Sequence, residues 1–203
     1  MCQEAFERLK QVAECETTSD VMQRYYDSLA DVYDDDMSLT RPDGPKMFAD
    51  FILKFSEHYD KNGTVLELEL GWGWNWAAKM LEIAQNRKIY KECYREILEP
   101  NSQSQAIPSN FDMIVSLGAF HTNHMTEEHL EAIIDLVKPD GWLFLGFVAR
   151  SYTPAFKAKL TEFETANKTK LVEVCFKDDY YREQDSTGRL INNQAACIAL
   201  RRM

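Results

Sequence analysis

Apolar and polar positions change period several times along this chain, and each change marks an element. Phe48, Phe51, Ile52 and Phe55 stand at the 0, 3, 4, 7 spacing that lines one face of a helix, and the first 60 residues read as helical. Gly63 opens a strand in which Leu66, Leu68 and Leu70 share one face while Val65, Glu67 and Glu69 share the other. Trp76 to Arg87 lacks glycine and proline and carries Met80, Leu81, Ile83 and Ala84, which suits a helix leaning on a sheet. Asn101 to Asn110 is polar and proline-bearing and reads as loop.

Phe111 to Gly118 is almost continuously apolar, the pattern of a strand covered on both faces, and a central place in a parallel sheet is expected for it. Thr126 is placed to cap a helix whose first turn holds Glu127 and Glu128, with Leu130, Ile133, Ile134 and Val137 as its inward stripe. Lys138-Pro-Asp-Gly141 is expected to stop that helix. Trp142 to Ala149 reads as a buried strand and Pro154 to Asn167 as an amphipathic helix. Val172 to Phe176 and Ala195 to Leu200 read as strands joined by a long polar excursion. The alternation predicts an α/β fold, a mostly parallel sheet with an antiparallel end behind a helical N-terminal segment. We divide it at residues 1–60, a helical cap, and 61–203, one compact sheet domain.

The spacing of the first two strands is unusual. Only 40 residues, 71 to 110, separate them, whereas each strand-helix-strand unit takes about 30 residues or more. One helix and one strand are therefore expected to be lacking after the first strand. Two carboxylates, Glu67 and Glu69, on a fully covered face would be costly, and a face whose covering helix is gone can be wet. A functional Glu67 beside a tolerated Glu69 would give the same pattern.

Composition narrows the function classes. The 203 residues carry a formal net charge of -10, which argues against a nucleic-acid partner and favours a neutral or cationic small molecule. The five cysteines are scattered with no Cys-x-x-Cys pair, so they read as reduced thiols of a cytoplasmic protein. No apolar run suits a membrane span, and neither a nucleophile elbow nor a Walker lysine is present. His121 and His124 lack a third ligand at helical spacing, so no metal site is expected; His58 and His129 read as surface residues, and Asp34, Asp35 and Asp36 as a solvated loop. Trp72, Trp74 and Trp76 could stack on a flat ligand or plug the space of a lost helix.

The order of these signals resembles the class I S-adenosylmethionine-dependent methyltransferases, and more closely the methyltransferase-like group named for the Williams-Beuren chromosomal region. The matching residues are Tyr26-Asp27 and Tyr33-Asp34, Val65-Leu66-Glu67 entering a glycine loop, and Phe111 to Gly118. His124 before the Thr126 helix and Leu136-Val-Lys-Pro-Asp-Gly-Trp-Leu143 complete the likeness, which spans residues 20 to 203. It implies a Rossmann-like domain binding S-adenosylmethionine through Tyr33, Glu67, Gly71, Gly73, Asn75 and Gly118, with His124 and His121 beside a small-molecule acceptor. Glu69 stands where the family's first glycine belongs, which weakens the cofactor loop. In a second register, Gly73-Trp-Asn75 followed by Met80 to Ala84 is similar to the family's second strand end and helix, which accounts for the short gap. The expectation is a methyltransferase of intact or diminished activity. The alternative is a non-catalytic binding module or a truncated splice form, whose exposed sheet edge would invite self-association.

Overall fold

The computed structural model describes residues 26–68, 78–88, 90–94, 96, 98–100, 102–121, 124–185 and 187–203, with backbone alone at 78–81. Among the described residues these helices and strands follow in chain order: α1 Tyr33–Thr40, α2 Gly44–Leu53, β1 Val65–Glu67, α3 Ala78–Asn86, β2 Phe111–Leu117, α4 Leu130–Leu136, β3 Val137–Val148, α5 Pro154–Thr165, β4 Thr169–Gln184 and β5 Leu190–Arg202. The strands form one sheet in the order β1-β2-β3-β5-β4. β1, β2 and β3 pair in parallel, and β5 runs antiparallel to both β3 and β4, so β5 alone is reversed. This is the α/β sheet with an antiparallel end that the periodicities predict. No helix among the described residues is long and apolar enough to cross a membrane.

Strand alternation divides the core into two layers. Leu143, Leu145 and Phe147 of β3 and Ala196, Ile198 and Leu200 of β5 meet Ile133 and Ile134 of α4 and Phe156, Leu160 and Phe163 of α5. Trp142, Phe144 and Val148 with Ala195, Cys197 and Ala199 face the opposite way, toward Phe48, Phe51 and Phe55. The small residues of β5 leave room there for rings, and Phe51 meets Phe144 edge-on at 6.2 Å. A Cβ at Gly146 would lie 2.8 Å from Phe48 Cδ2, so the missing side chain lets α2 approach β3. Thr153 starts α5 by accepting the Phe156 amide at 3.1 Å, with Pro154 in the first turn.

The split character of β1 is as the alternation predicts. Leu66 and Leu68 are buried, whereas Glu67 is exposed and Val65 is 54% exposed. Between β1 and β2 the described residues hold one helix, α3, and no strand, so β1 is the sheet's edge among the described residues. Asp112 ties β1 to its neighbour: one carboxylate oxygen accepts the Thr64 amide at 2.7 Å and the Thr64 hydroxyl at 2.8 Å, and the other binds the Lys138 amino group. The Lys138 and Thr64 hydrogen bonds hold the Asp112 carboxyl at about 2, below its usual range.

Several expectations need correction. β2 is an inner strand, flanked in parallel by β1 and β3 as expected, while the β4-β5 hairpin makes β3 the middle of the five described strands. β3 also begins at Val137, paired with Phe111, so Lys138 to Gly141 forms an irregular strand entrance, with Asp140 at φ 63°, rather than a separate stop. The polar excursion after Phe176 is a β-ribbon: Tyr181 to Gln184 pairs with Leu190 to Asn193, closed by Asp185, whose carboxylate accepts the Thr187 and Arg189 amides. Its polar surface disguised paired backbone as loop. Asp34 to Asp36 lies in the first turns of α1, where acidic residues suit the helix dipole, and Asp36 is buried. His129 is buried as well, its Nδ1 accepting the Thr126 amide at 3.1 Å.

Candidate functional site

Two neighbouring regions carry the candidate chemistry. The first is a cavity of about 780 Å³ along β1. Its apolar wall is formed by Leu66, Leu68, Leu98, Ile107, Val115 and Met125, and Glu67, Tyr90, Lys91, Glu92 and Glu96 supply polar groups. Glu67, at the carboxyl end of β1, accepts a hydrogen bond from the Tyr90 hydroxyl at 2.6 Å. Glu96 folds the wall by accepting the amides of Ala106 and Ile107, both at 2.9 Å, together with the Gln105 amide and the Ser104 hydroxyl. Burial raises the Glu96 pKa, but the Ser104 and backbone hydrogen bonds outweigh it and leave the carboxyl below its ordinary value.

The second region lies at the carboxyl end of β2, where open α/β sheets receive ligands. Gly118 ends this strand at φ 88°, a conformation that favours glycine, and its amide donates to the Gly146 carbonyl at 2.7 Å. Arg41, just beyond α1, lies so close that a Cβ at Gly118 would stand 2.5 Å from Nη1. The Arg41 guanidinium faces the rings of Tyr180 and Tyr181, 5.6 and 5.2 Å from their centroids. Tyr33 is half-buried, meets Tyr26 edge-on at 6.3 Å and acts electrostatically on Arg41.

His121 and His124 occupy the turn after Gly118, which closes when the Met125 amide donates to the Ala119 carbonyl at 3.1 Å. Their rings lie 5.8 Å apart and nearly perpendicular. Arg150 Nη2 lies 3.2 Å from His121 Nε2. A guanidinium can only donate, so Arg150 is the donor of this contact. Arg150 Nη1 also holds both oxygens of Glu183, at 3.0 and 3.1 Å. His124 is buried, and its Nδ1 has no hydrogen-bond partner. Burial first, then the nearby His121 and Arg41, pushes its pKa down to about 4. At neutral pH His124 is therefore an uncharged hydrogen-bonding group and a weak base.

The structure thus distributes the anticipated residues. Glu67 lines the β1 cavity, Tyr33, Gly118 and His124 lie about Arg41, and His121 adjoins His124 and Arg150. Gly71, Gly73 and Asn75, with Trp72, Trp74 and Trp76, lie outside the described residues. Among the described residues no group of three or more His, Cys, Asp or Glu side chains could hold a metal ion. Sequence reasoning missed Arg41, Tyr90, Arg150, Tyr180 and Tyr181. The adjacent tyrosines in an otherwise charged stretch were the available signal, because aromatic residues there need a surface to cover.

No protein-family profile and no curated protein matches the chain. Solved structures do. A S-adenosylmethionine-dependent methyltransferase from Anabaena variabilis aligns over 93% of this chain and 96% of its own, at 9% identity and a TM-score of 0.53. A candidate RNA methyltransferase from Pyrococcus horikoshii covers 78% of this chain and 85% of its own, at 9% identity and a TM-score of 0.50. A candidate methyltransferase from Bacillus halodurans covers 76% and 97%, at 11% identity and a TM-score of 0.50. With its sheet of five described strands, the chain has the Rossmann-like fold of the class I methyltransferases.

Proposed function

We propose that this chain is a methyltransferase-type protein, allied to the Williams-Beuren-region group, that holds S-adenosylmethionine beside Glu67 and a small-molecule acceptor near His121 and His124. The single observation that carries this reading is the cavity along β1, with an apolar wall and the Glu67 carboxylate among its lining groups. Its size is that of sites for small organic ligands. Its donor set suits the cofactor: Glu67 and Tyr90 offer partners to hydroxyl groups, Leu66, Leu68 and Val115 offer surface to a flat base, and Glu67 and Glu92 favour a cation. When bound, S-adenosylmethionine supplies an electrophilic methyl group on a sulfonium centre.

The work of the chain's own residues is then positioning, since a methyl acceptor needs alignment more than acid-base help. Tyr90 fixes the Glu67 carboxylate, Gly118 lets the chain turn beneath the acceptor, and neutral His124 offers it a ring nitrogen. Isothermal titration calorimetry with S-adenosylmethionine and S-adenosylhomocysteine tests the reading. Micromolar binding that weakens about tenfold or more in Glu67→Gln is expected, since an uncharged amide accepts hydrogen bonds less strongly than a carboxylate. Absence of heat with both ligands would leave the fold without this function.

A second reading, a non-catalytic interaction module, is favoured by one specific observation: the three-residue β1 has an exposed outer face, with Val65 54% exposed, and no strand beyond it among the described residues. Such an edge can pair with another chain. A reduced, cytoplasmic setting suits both readings, since Cys93, Cys175 and Cys197 are free thiols.

A further inference from the structure

Arg41 has no acidic partner among the described residues. Its Nη1 stands against the backbone of Gly118 and 3.5 Å from the Tyr180 hydroxyl, too long for a strong bond. Its Nε is buried with no partner. The flanking rings of Tyr180 and Tyr181 attract the charge without neutralising it. The other cation of this cluster, Arg150, is already matched by Glu183 and engaged with His121. His124 adds a second orphan: the residue is 5% exposed and its Nδ1 has no hydrogen-bond partner. Buried polar groups are ordinarily satisfied, and a half-buried guanidinium without a carboxylate is costly.

We propose that Arg41, with Tyr181 and His124, forms a binding site for the carboxylate of a small molecule at the carboxyl end of β2. The Nε edge of a guanidinium forms, with Nη2, the fork that donates to both oxygens of a carboxylate, and Nη2 makes no hydrogen bond among the described residues. One unmatched positive charge favours a monoanion over a phosphate dianion. The half-buried Tyr181 ring offers a flat surface to the body of the ligand. This local cation runs against the overall charge of -10, from which a neutral or cationic ligand is expected. That the ligand is the methyl acceptor rests on the function proposed above; the site itself does not.

The test is nuclear magnetic resonance titration of the protein with benzoate and with its neutral isostere benzamide, following the ring signals of His121 and His124. Calorimetry with S-adenosylmethionine is run on the same samples. Saturable shifts with benzoate and none with benzamide are expected. Arg41→Gln should lower benzoate affinity by roughly tenfold or more, as loss of a charged hydrogen-bond donor does. Arg41→Lys, which keeps the charge without the fork, should retain part of the affinity. Because the guanidinium is unmatched, Arg41→Gln should melt no lower than wild type, whereas a purely structural arginine would not allow this. Equal binding of benzamide, or unchanged benzoate affinity in Arg41→Gln, overturns the proposal. So does wild-type protein that ignores benzoate while Arg41→Gln loses S-adenosylmethionine, since Arg41 would then serve the cofactor. Benzoate binding without S-adenosylmethionine binding upholds this site and defeats the methyltransferase reading alone.

Discussion

His124 shows how one residue carries both a cost and a capacity. Its pKa of about 4 in the folded chain lies below the ordinary 6.5, so between these values the unfolded chain takes up a proton that the folded one refuses. Its contribution to stability is complete above about pH 6.5 and is lost as pH falls through about 4. The full span is worth about 3 kcal/mol as an upper figure. His124→Gln should flatten this part of the profile, read as urea midpoints at pH 7 and pH 4.5 for both proteins. Gly118→Ala should destabilise by about 1 kcal/mol or more, because its φ of 88° disfavours a side chain and the new Cβ displaces the Arg41 terminus. Thermal melting would register it. The sequence made His121 and His124 visible because they follow an apolar strand. Arg41 was invisible, since its significance lies in a missing partner, which no sequence displays.

At the scale of elements, the interleaving of α2 with β3 predicts the largest loss. Phe144 is fully buried and touches Phe51, Phe55 and Trp142, so Phe144→Ala should cost about 3–5 kcal/mol in equilibrium unfolding. Asp112→Asn should cost about 1–2 kcal/mol, because Lys138 loses its carboxylate partner while Thr64 keeps an acceptor. The Asp112 carboxyl lies near 2 when folded, so its contribution is present above about pH 4 and lost as pH falls toward 2. Denaturant titration between pH 5 and 2 should show that acid limb in wild type and not in the variant. These elements were legible where burial imposes period on the side chains, as in α2, β2, β3 and α5. The ribbon at the tip of β4 and β5 was not, because its backbone is satisfied by pairing while its side chains meet water.

For the whole molecule, the order β1-β2-β3-β5-β4 leaves one side of the sheet, among the described residues, ending in a short, half-wet strand. The short interval between β1 and β2 is what led the sequence reading to expect a missing helix and strand there. If that edge serves association, sedimentation velocity should show a dimer that Leu66→Lys or Val65→Pro disperses. Val65→Pro is the more telling, since it removes a backbone donor on an exposed residue without emptying the core. A concentration-independent monomer would instead assign the edge no partner of its own kind.

The contact between Arg41 and Tyr180 joins positions 139 residues apart. Closing so long a loop is entropically unfavourable and tends to come late in folding. A ribosome must release most of the polypeptide before the tyrosine ribbon can meet the early arginine. The carboxylate site proposed at this corner therefore depends on a long-range contact and cannot form from either segment alone.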